Sequence, residues 1–111
     1  MRVAATKVSE QRIRAMAATL GRQPGVRKVI LFGSQAEGRA DDASDIDFLV
    51  ITAGKPGRAQ SSTVLRSQLH DSPVGIDIVV MDEEQFEETR DVIGGVAYPA
   101  NRYGKVLYEE A

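Results

Sequence analysis

The stretch that decides the fold reads Phe32-Gly33-Ser34, then ten further residues, then Asp45-Ile46-Asp47. Its first part closes a fully apolar run, residues 29–32, of the kind found in a strand buried on both faces. Its second part opens a strand predicted over residues 45–52, and because side chains alternate along a strand, both aspartates are expected on one face. The apolar residues expected with them are Leu49 and Ile51, and those of the opposite face are Ile46, Phe48 and Val50.

Helical and extended patterns alternate around this stretch. Apolar spacing, capping residues and turn signals predict the elements. Helices are predicted over residues 9–20, 35–37, 59–69 and from Asp82 to Gly94–Gly95, and strands over residues 27–32, 45–52, 74–81 and 105–108. The order αβ(α)βαβαβ predicts the α+β class, with helices packed on a small mixed sheet.

A capping pair marks the start of the last of these helices. Asp82 has the sequence position of an N-cap, and Gln85 lies three residues further on as its reciprocal partner. The residues expected on the buried face of this helix are Phe86, Thr89 and Ile93.

Composition narrows the function classes. The 111 residues are predicted to form one domain, residues 1–111, with 42% hydrophobic and 27% charged residues, as in ordinary globular proteins. The formal net charge of −2 argues against bulk electrostatic binding of nucleic acid. No cysteine and one histidine exclude disulfides and multi-histidine metal sites within one chain. With no signal peptide pattern and no apolar run near the roughly 20 residues that span a bilayer, a cytoplasmic protein without membrane contact is expected.

Three aspartates are predicted at one end of the sheet. Asp45 and Asp47 have Cα atoms roughly 6.5–7 Å apart and project side by side. Asp77 lies between Ile76 and Ile78 in a strand expected to pair beside them. Three neighbouring carboxylates repel one another and raise their pKa values unless a cation neutralises them. Oxygen ligands of this kind suit Mg²⁺ or Mn²⁺ rather than zinc.

Gly33 and Ser34 are suited to bind an anion, whereas the three aspartates are suited to bind cations. A glycine after a buried strand permits a sharp turn and close approach of a ligand, and free N–H groups of a following helical turn bind anions. Taken singly, these features also fit a plain turn, solvated or capping aspartates, and an edge residue facing water. Their combination in this order predicts a metal-dependent site for a nucleoside triphosphate.

The segments that carry a resemblance to a known family are Leu31-Phe32-Gly33-Ser34-Gln35-Ala36-Glu37-Gly38-Arg39, Ser44-Asp45-Ile46-Asp47-Phe48-Leu49-Val50, Gly75-Ile76-Asp77-Ile78-Val79-Val80 and Tyr103-Gly104-Lys105-Val106-Leu107-Tyr108. The chain resembles the DNA polymerase beta-like nucleotidyltransferase superfamily over nearly its whole length. Within that superfamily, it is similar to the minimal nucleotidyltransferases, the MNT-domain antitoxins that pair with HEPN toxins.

The resemblance implies a nucleotidyltransferase fold and a Mg²⁺-dependent protein adenylyltransferase. Asp45 and Asp47 would bind two Mg²⁺ ions about 3.5–4 Å apart. Asp77 would complete the second metal site or accept the acceptor's proton, so the three aspartates are the expected catalytic and metal-binding residues. Gly33 and Ser34 would hold the β- and γ-phosphates. The expected substrate is ATP, whose AMP would be transferred to a tyrosine of a cognate HEPN toxin.

Two other functions remain open from the sequence. The chain would be a non-catalytic antitoxin if it neutralised its toxin by binding alone, or a small-molecule nucleotidyltransferase similar to the aminoglycoside-modifying enzymes. A hetero-oligomer with the toxin and a homo-oligomer are both compatible with the sequence. The nucleobase and the number of AMP units added cannot be read from it.

Overall fold

A four-stranded mixed sheet with helices packed against it forms the scaffold of the computed structural model, which describes residues 8–40, 44–70 and 72–110. In chain order, the elements are α1 (Glu10–Gly21), β1 (Val26–Phe32), α2 (Ser34–Glu37), β2 (Ile46–Thr52), a 3₁₀ turn (Arg58–Gln60), α3 (Ser62–Arg66), β3 (Ile76–Asp82), α4 (Glu83–Thr89), α5 (Ala97–Tyr103) and β4 (Lys105–Glu109). The predicted α+β class and mixed sheet are confirmed.

The strands lie in the order β3-β2-β1-β4. The pairs β1–β2 and β1–β4 are antiparallel, and the pair β2–β3 is parallel. The end of β1 therefore lies beside the starts of β2 and β3. The two segments singled out in the sequence meet at this corner of the sheet.

Two apolar clusters lie on opposite faces of the sheet. One contains Ile46, Phe48 and Val50 with residues of α1 and α3. The other contains Leu49 and Ile51 with residues of α4 and α5. The alternation predicted for β2 is confirmed, and β1 is buried on both faces as expected, since Val29 and Ile30 belong to different clusters.

Side-chain caps fix two of the helix starts. Ser9 accepts a hydrogen bond from the amide of Arg12 at 3.1 Å, so α1 begins at the next residue. Asp82 accepts from the amide of Gln85 at 2.7 Å, which confirms the predicted N-cap of α4. Because Asp82 also ends β3, the helix starts with no intervening loop.

The helix predicted over residues 59–69 is interrupted. Ser61 is extended, with φ −68° and ψ 154°, and its hydroxyl accepts from the amide of Val64. The segment therefore divides into the 3₁₀ turn and α3. Serine competes with the helical backbone for hydrogen bonds in this way, which explains the break.

The region after α4 also differs from the prediction. The helix ends at Thr89, and Ile93, expected on its buried face, is 81% exposed. The structure then forms α5, which the sequence analysis did not predict. Pro99 is the third residue of this helix, where a missing N–H breaks no helical hydrogen bond.

None of the helices in the described part of the chain combines the length and the apolar composition of a membrane-spanning segment.

Candidate active site

One level of the sheet carries the central residues of the site. Phe32 of β1 pairs with Asp47 of β2, and Asp47 pairs with Asp77 of β3. Residues paired directly across neighbouring strands point to the same face. The two aspartates therefore lie side by side, with the half-buried Phe32 next to them. Asp45 lies just before β2, at the same end of the sheet.

The surroundings of the Asp47 carboxyl favour its protonated form. Partial burial raises its pKa, and the charges of Asp77 and Asp45 and a side-chain hydrogen-bonding contact with Asp77 raise the pKa further. Burial disfavours the charged form, and nearby like charges add to that effect. The structure thus brings together the three aspartates that the sequence singled out.

In the part of the chain that the structure describes, basic side chains form no ion pair with this cluster. No ion pair within residues 8–40, 44–70 and 72–110 involves Asp45, Asp47 or Asp77. Asp45 and Asp77 are exposed, so a ligand can reach both from solvent. The result is a local concentration of negative charge at an accessible corner of the sheet.

Gly33 brings the other half of the motif against this cluster. Its φ is +78°, and an added Cβ would collide with the Oδ2 atom of Asp47. Only glycine combines this backbone conformation with such a close approach at low cost. The turn that follows is consequently packed directly against the central carboxylate.

The turn at α2 leaves amide donors available. The carbonyl of Gly33 accepts from the amides of Ala36 and Glu37, at 3.0 and 3.1 Å. Within the described residues, the amides of Ser34 and Gln35 donate to no backbone acceptor. These two N–H groups and the Ser34 hydroxyl are donors of the kind that bind phosphate oxygens. They directly follow Gly33, which packs against Asp47.

Two further residues shape the site. A Cβ on Gly75 would lie 2.8 Å from Oδ1 of Asp45, so this glycine makes room for the carboxylate. The Gln35 side chain donates to the carbonyl of Ser44 at 3.1 Å, which ties α2 to the residue preceding Asp45. Sequence reasoning assigned neither role. The position of Gly75, two residues before Asp77, is a sequence signal that could have indicated its role. The contact of Gln35 with Ser44 spans a loop, and no sequence pattern indicates it.

The donor set fits a hard divalent cation. The neighbouring carboxylates of Asp47 and Asp77 supply oxygen ligands, and their mutual repulsion falls when a cation is bound. In the described part of the chain, no group of three or more acidic, histidine or cysteine side chains is placed so that it could hold a metal ion. The site is therefore an open carboxylate pair with Asp45 beside it, which leaves coordination positions for ligands other than protein.

Known proteins that are similar to this chain identify its family and its fold. Residues 15–110 match the family model described as "Polymerase beta, Nucleotidyltransferase". Among curated proteins, none matches the chain.

Several solved structures share the fold. A Sulfolobus solfataricus protein described as a candidate nucleotidyltransferase has a TM-score of 0.61 and 17% identity, over 90% of this chain and 79% of that chain. A toxin–antitoxin structure with AMP-PNP has a TM-score of 0.58 and 22% identity, over 93% and 75%. A complex of tri-AMPylated Shewanella oneidensis HEPN toxin with MNT antitoxin has a TM-score of 0.51 and 21% identity, over 92% and 74%.

Proposed function

This chain belongs to the polymerase beta nucleotidyltransferase family, and from that premise we propose that it is an antitoxin that transfers AMP from ATP to a tyrosine of a cognate HEPN toxin. The observation that carries the proposal is the packing of the Gly33–Ser34 turn directly against Asp47, in the same row as Asp77. Phosphate-binding donors and metal-binding acceptors are thereby adjacent.

Asp45, Asp47 and Asp77 would hold two Mg²⁺ ions, or Mn²⁺ in their place. When bound, these ions neutralise the charge of the triphosphate and lower the pKa of an acceptor hydroxyl. The raised pKa of Asp47 and the absence of a basic partner for the three aspartates among the described residues support this assignment.

The chain's own groups then have separate tasks. The amides of Ser34 and Gln35 and the Ser34 hydroxyl donate to the β- and γ-phosphates and orient the α-phosphorus toward the row of carboxylates. Asp77, exposed at the outer side of the row, takes the proton of the acceptor hydroxyl. The acceptor oxygen forms a bond to the α-phosphorus, the bond to the bridging oxygen breaks, and pyrophosphate leaves with that electron pair. Positioning accounts for most of the rate enhancement.

Structural relatives support the choice of acceptor. One is a toxin–antitoxin pair with AMP-PNP, and another contains a HEPN toxin that carries AMP groups. Since likeness at this level of identity establishes the fold alone, the toxin partner and the tyrosine acceptor are part of the proposal.

The proposed function is tested by incubating this protein with labelled ATP and a HEPN protein whose gene lies beside its own, and by following the label. With Mg²⁺, label in the α-phosphate should move to the HEPN protein and label in the γ-phosphate should not. Asp45→Asn and Asp47→Asn should each abolish transfer, whereas Asp91→Asn, an exposed aspartate outside the site, should not. Transfer that survives both site substitutions would refute the carboxylate assignment.

The same variants distinguish chemistry from simple binding. If Asp47→Asn still neutralises the toxin in growing cells while transferring no AMP, neutralisation proceeds by binding alone. The enzymatic proposal requires that neutralisation and transfer be lost together.

A further inference from the structure

A groove outside the sheet runs along β3 beside Asp77. Its volume is about 310 Å³. The lining residues are Ser62, Thr63, Arg66, Ile76, Asp77 and Ile78. One wall belongs to α3 and the floor to three consecutive residues of β3, so the groove follows the strand. Because Asp77 belongs both to this floor and to the row of carboxylates, the groove adjoins the candidate active site at this residue.

The floor of the groove is an open sheet edge. β3 is an outer strand of the sheet, paired only with β2. The Ile46 amide donates to the Gly75 carbonyl at 2.9 Å. Because bonding direction alternates along a strand, the peptide groups of residues 75, 77 and 79 face β2 and those of residues 76, 78 and 80 face outward. Within the described residues, no backbone group outside β2 bonds to this outer side.

This edge lacks two of the residue types that commonly prevent strand pairing. Residues 76–82 contain no proline and no lysine, which are the residues that commonly block an exposed edge. Five of the seven residues are apolar, and the acidic ones are Asp77 and Asp82. An unprotected edge of this composition is suited to receive an added strand.

The wall of the groove offers polar and cationic groups to such a strand. Ser62 and Thr63 are exposed and present hydroxyl groups. The Arg66 guanidinium donates to the carbonyl of Leu69 at 2.8 Å, which holds this cation at the groove. Arg66 is a cation in a groove whose floor carries a carboxylate, so a bound segment is complementary when it places an acidic side chain near Arg66 and an uncharged one near Asp77.

We propose that the acceptor protein binds as an extended segment paired with the free edge of β3, with its hydroxyl-bearing residue opposite Asp77 and an acidic side chain beside Arg66. Neighbouring strands lie about 4.8 Å apart, and directly opposed residues share a face. The acceptor side chain therefore continues the row formed by Asp47 and Asp77. The chemical step is the AMP transfer described above. The reaction of the bound segment therefore rests on the proposed function, whereas the binding of the segment does not.

The test uses a library of nine-residue peptides with a central tyrosine, flanking positions varied among acidic and apolar residues, and no other hydroxyl or thiol group. Amide hydrogen exchange of the full-length protein is followed with and without peptide. The expected result is alternating protection: the amides of residues 76, 78 and 80 gain protection on peptide addition, while those of residues 77 and 79 are already protected by β2. Unchanged exchange at residues 76, 78 and 80 overturns the proposal.

A groove-filling variant provides the second readout. Thr63→Trp should lower AMP transfer from α-labelled ATP to the library by about tenfold or more, a loss of roughly 1.4 kcal/mol in acceptor binding. Gln68→Trp, which places the same bulk on an exposed residue outside this groove, should transfer at the wild-type rate. Equal transfer by the two variants contradicts the proposal. So does a wild-type dimer that Thr63→Trp converts to a monomer, because a second copy would then occupy the edge.

Equilibrium binding of ATP with Mg²⁺, measured in the same samples, separates this inference from the proposed function. ATP binding without peptide protection or peptide labelling overturns the edge inference and leaves the nucleotide site intact. Failure to bind ATP counts against the proposed function, whereas edge protection by peptide is judged independently of it.

Discussion

At the scale of single residues, the ionised carboxylate of Asp47 destabilises the folded state. Burial and the charges of Asp77 and Asp45 raise its pKa in the folded state. A raised pKa means that the folded state binds the proton more tightly than the unfolded chain does. Stability from this group is therefore present in mild acid and is lost as the pH rises through the folded-state pKa.

Replacement of Asp47 by asparagine removes this cost. In the presence of a chelator at neutral pH, we expect Asp47→Asn to unfold at a higher temperature than the wild type. The difference should shrink as the pH falls below the folded-state pKa, because the wild-type carboxyl is then also neutral. Thermal unfolding followed by circular dichroism across this pH range measures it, with Asp91→Asn as a control that should gain nothing. A difference that grows in acid would contradict the assigned pKa direction.

Gly75 offers a test of how the fold positions Asp45. An added methyl group would lie 2.8 Å from the carboxylate oxygen, and this flexible oxygen must move. We expect Gly75→Ala to lower AMP transfer by about tenfold or more, the effect of a misplaced catalytic group, with little change in unfolding temperature. Gly54→Ala, where an added Cβ meets nothing within 4 Å, should leave transfer unchanged. Equal activity of the two variants would show that the position of Asp45 is not restricted by Gly75.

The sequence predicts the aspartates better than it predicts their surroundings. Alternation along β2 requires Asp45 and Asp47 to share a face, so their pairing follows from local geometry. The closeness of Gly75 to Asp45 and the bond from Gln35 to Ser44 depend on how separate segments dock. Such contacts leave no periodic signature in the sequence.

At the scale of elements, the junction of β3 and α4 depends on one side chain. Asp82 ends the strand and caps the helix through its bond to the Gln85 amide. We expect Asp82→Ala to lower the free energy of unfolding by about 1 kcal/mol, the usual cost of losing an N-cap. Asp82→Asn retains a capping oxygen and should lose much less. Chemical denaturation of the three proteins measures both values, and equal losses would contradict the capping role.

The sequence predicted the helices that begin at local capping residues. It missed the helix α5, which tertiary packing stabilises. Asp82 is a recognisable cap and begins a helix as expected, and the helix predicted from residue 9 begins at Glu10, after the Ser9 cap. The sequence of α5 follows two glycines and contains Pro99, so its local signals indicate a loop. Burial of Ala97 and Ala100 against the sheet stabilises this helix despite those signals.

At the scale of the whole molecule, the mixed sheet was predicted but its strand order was not. The number and spacing of apolar segments indicate strands and helices in sequence. Which strands become neighbours depends on the crossover between β2 and β3 and on the return of β4 to β1, contacts between residues far apart in the chain. This order places the row of carboxylates beside an open edge.

Ligand binding should stabilise the molecule as a whole. If the site holds a metal–nucleotide complex, Mg²⁺ with ATP at about 100 times its dissociation constant adds roughly 2.7 kcal/mol to the free energy of unfolding. We expect this gain in the wild type and in Asp91→Asn, and its loss in Asp45→Asn. Denaturant titrations with and without Mg²⁺ and ATP measure it. A gain of equal size in Asp45→Asn would place the ligand elsewhere.

The most direct measurement is a crystal structure of the protein with Mn²⁺ and a non-hydrolysable ATP analogue, in which the anomalous signal locates the metal. We expect manganese bound to the carboxylates of Asp47 and Asp77, with the analogue's phosphates on the amides of Ser34 and Gln35. Manganese and analogue bound at another part of the surface, with Asp47 and Asp77 in contact with neither, would contradict it.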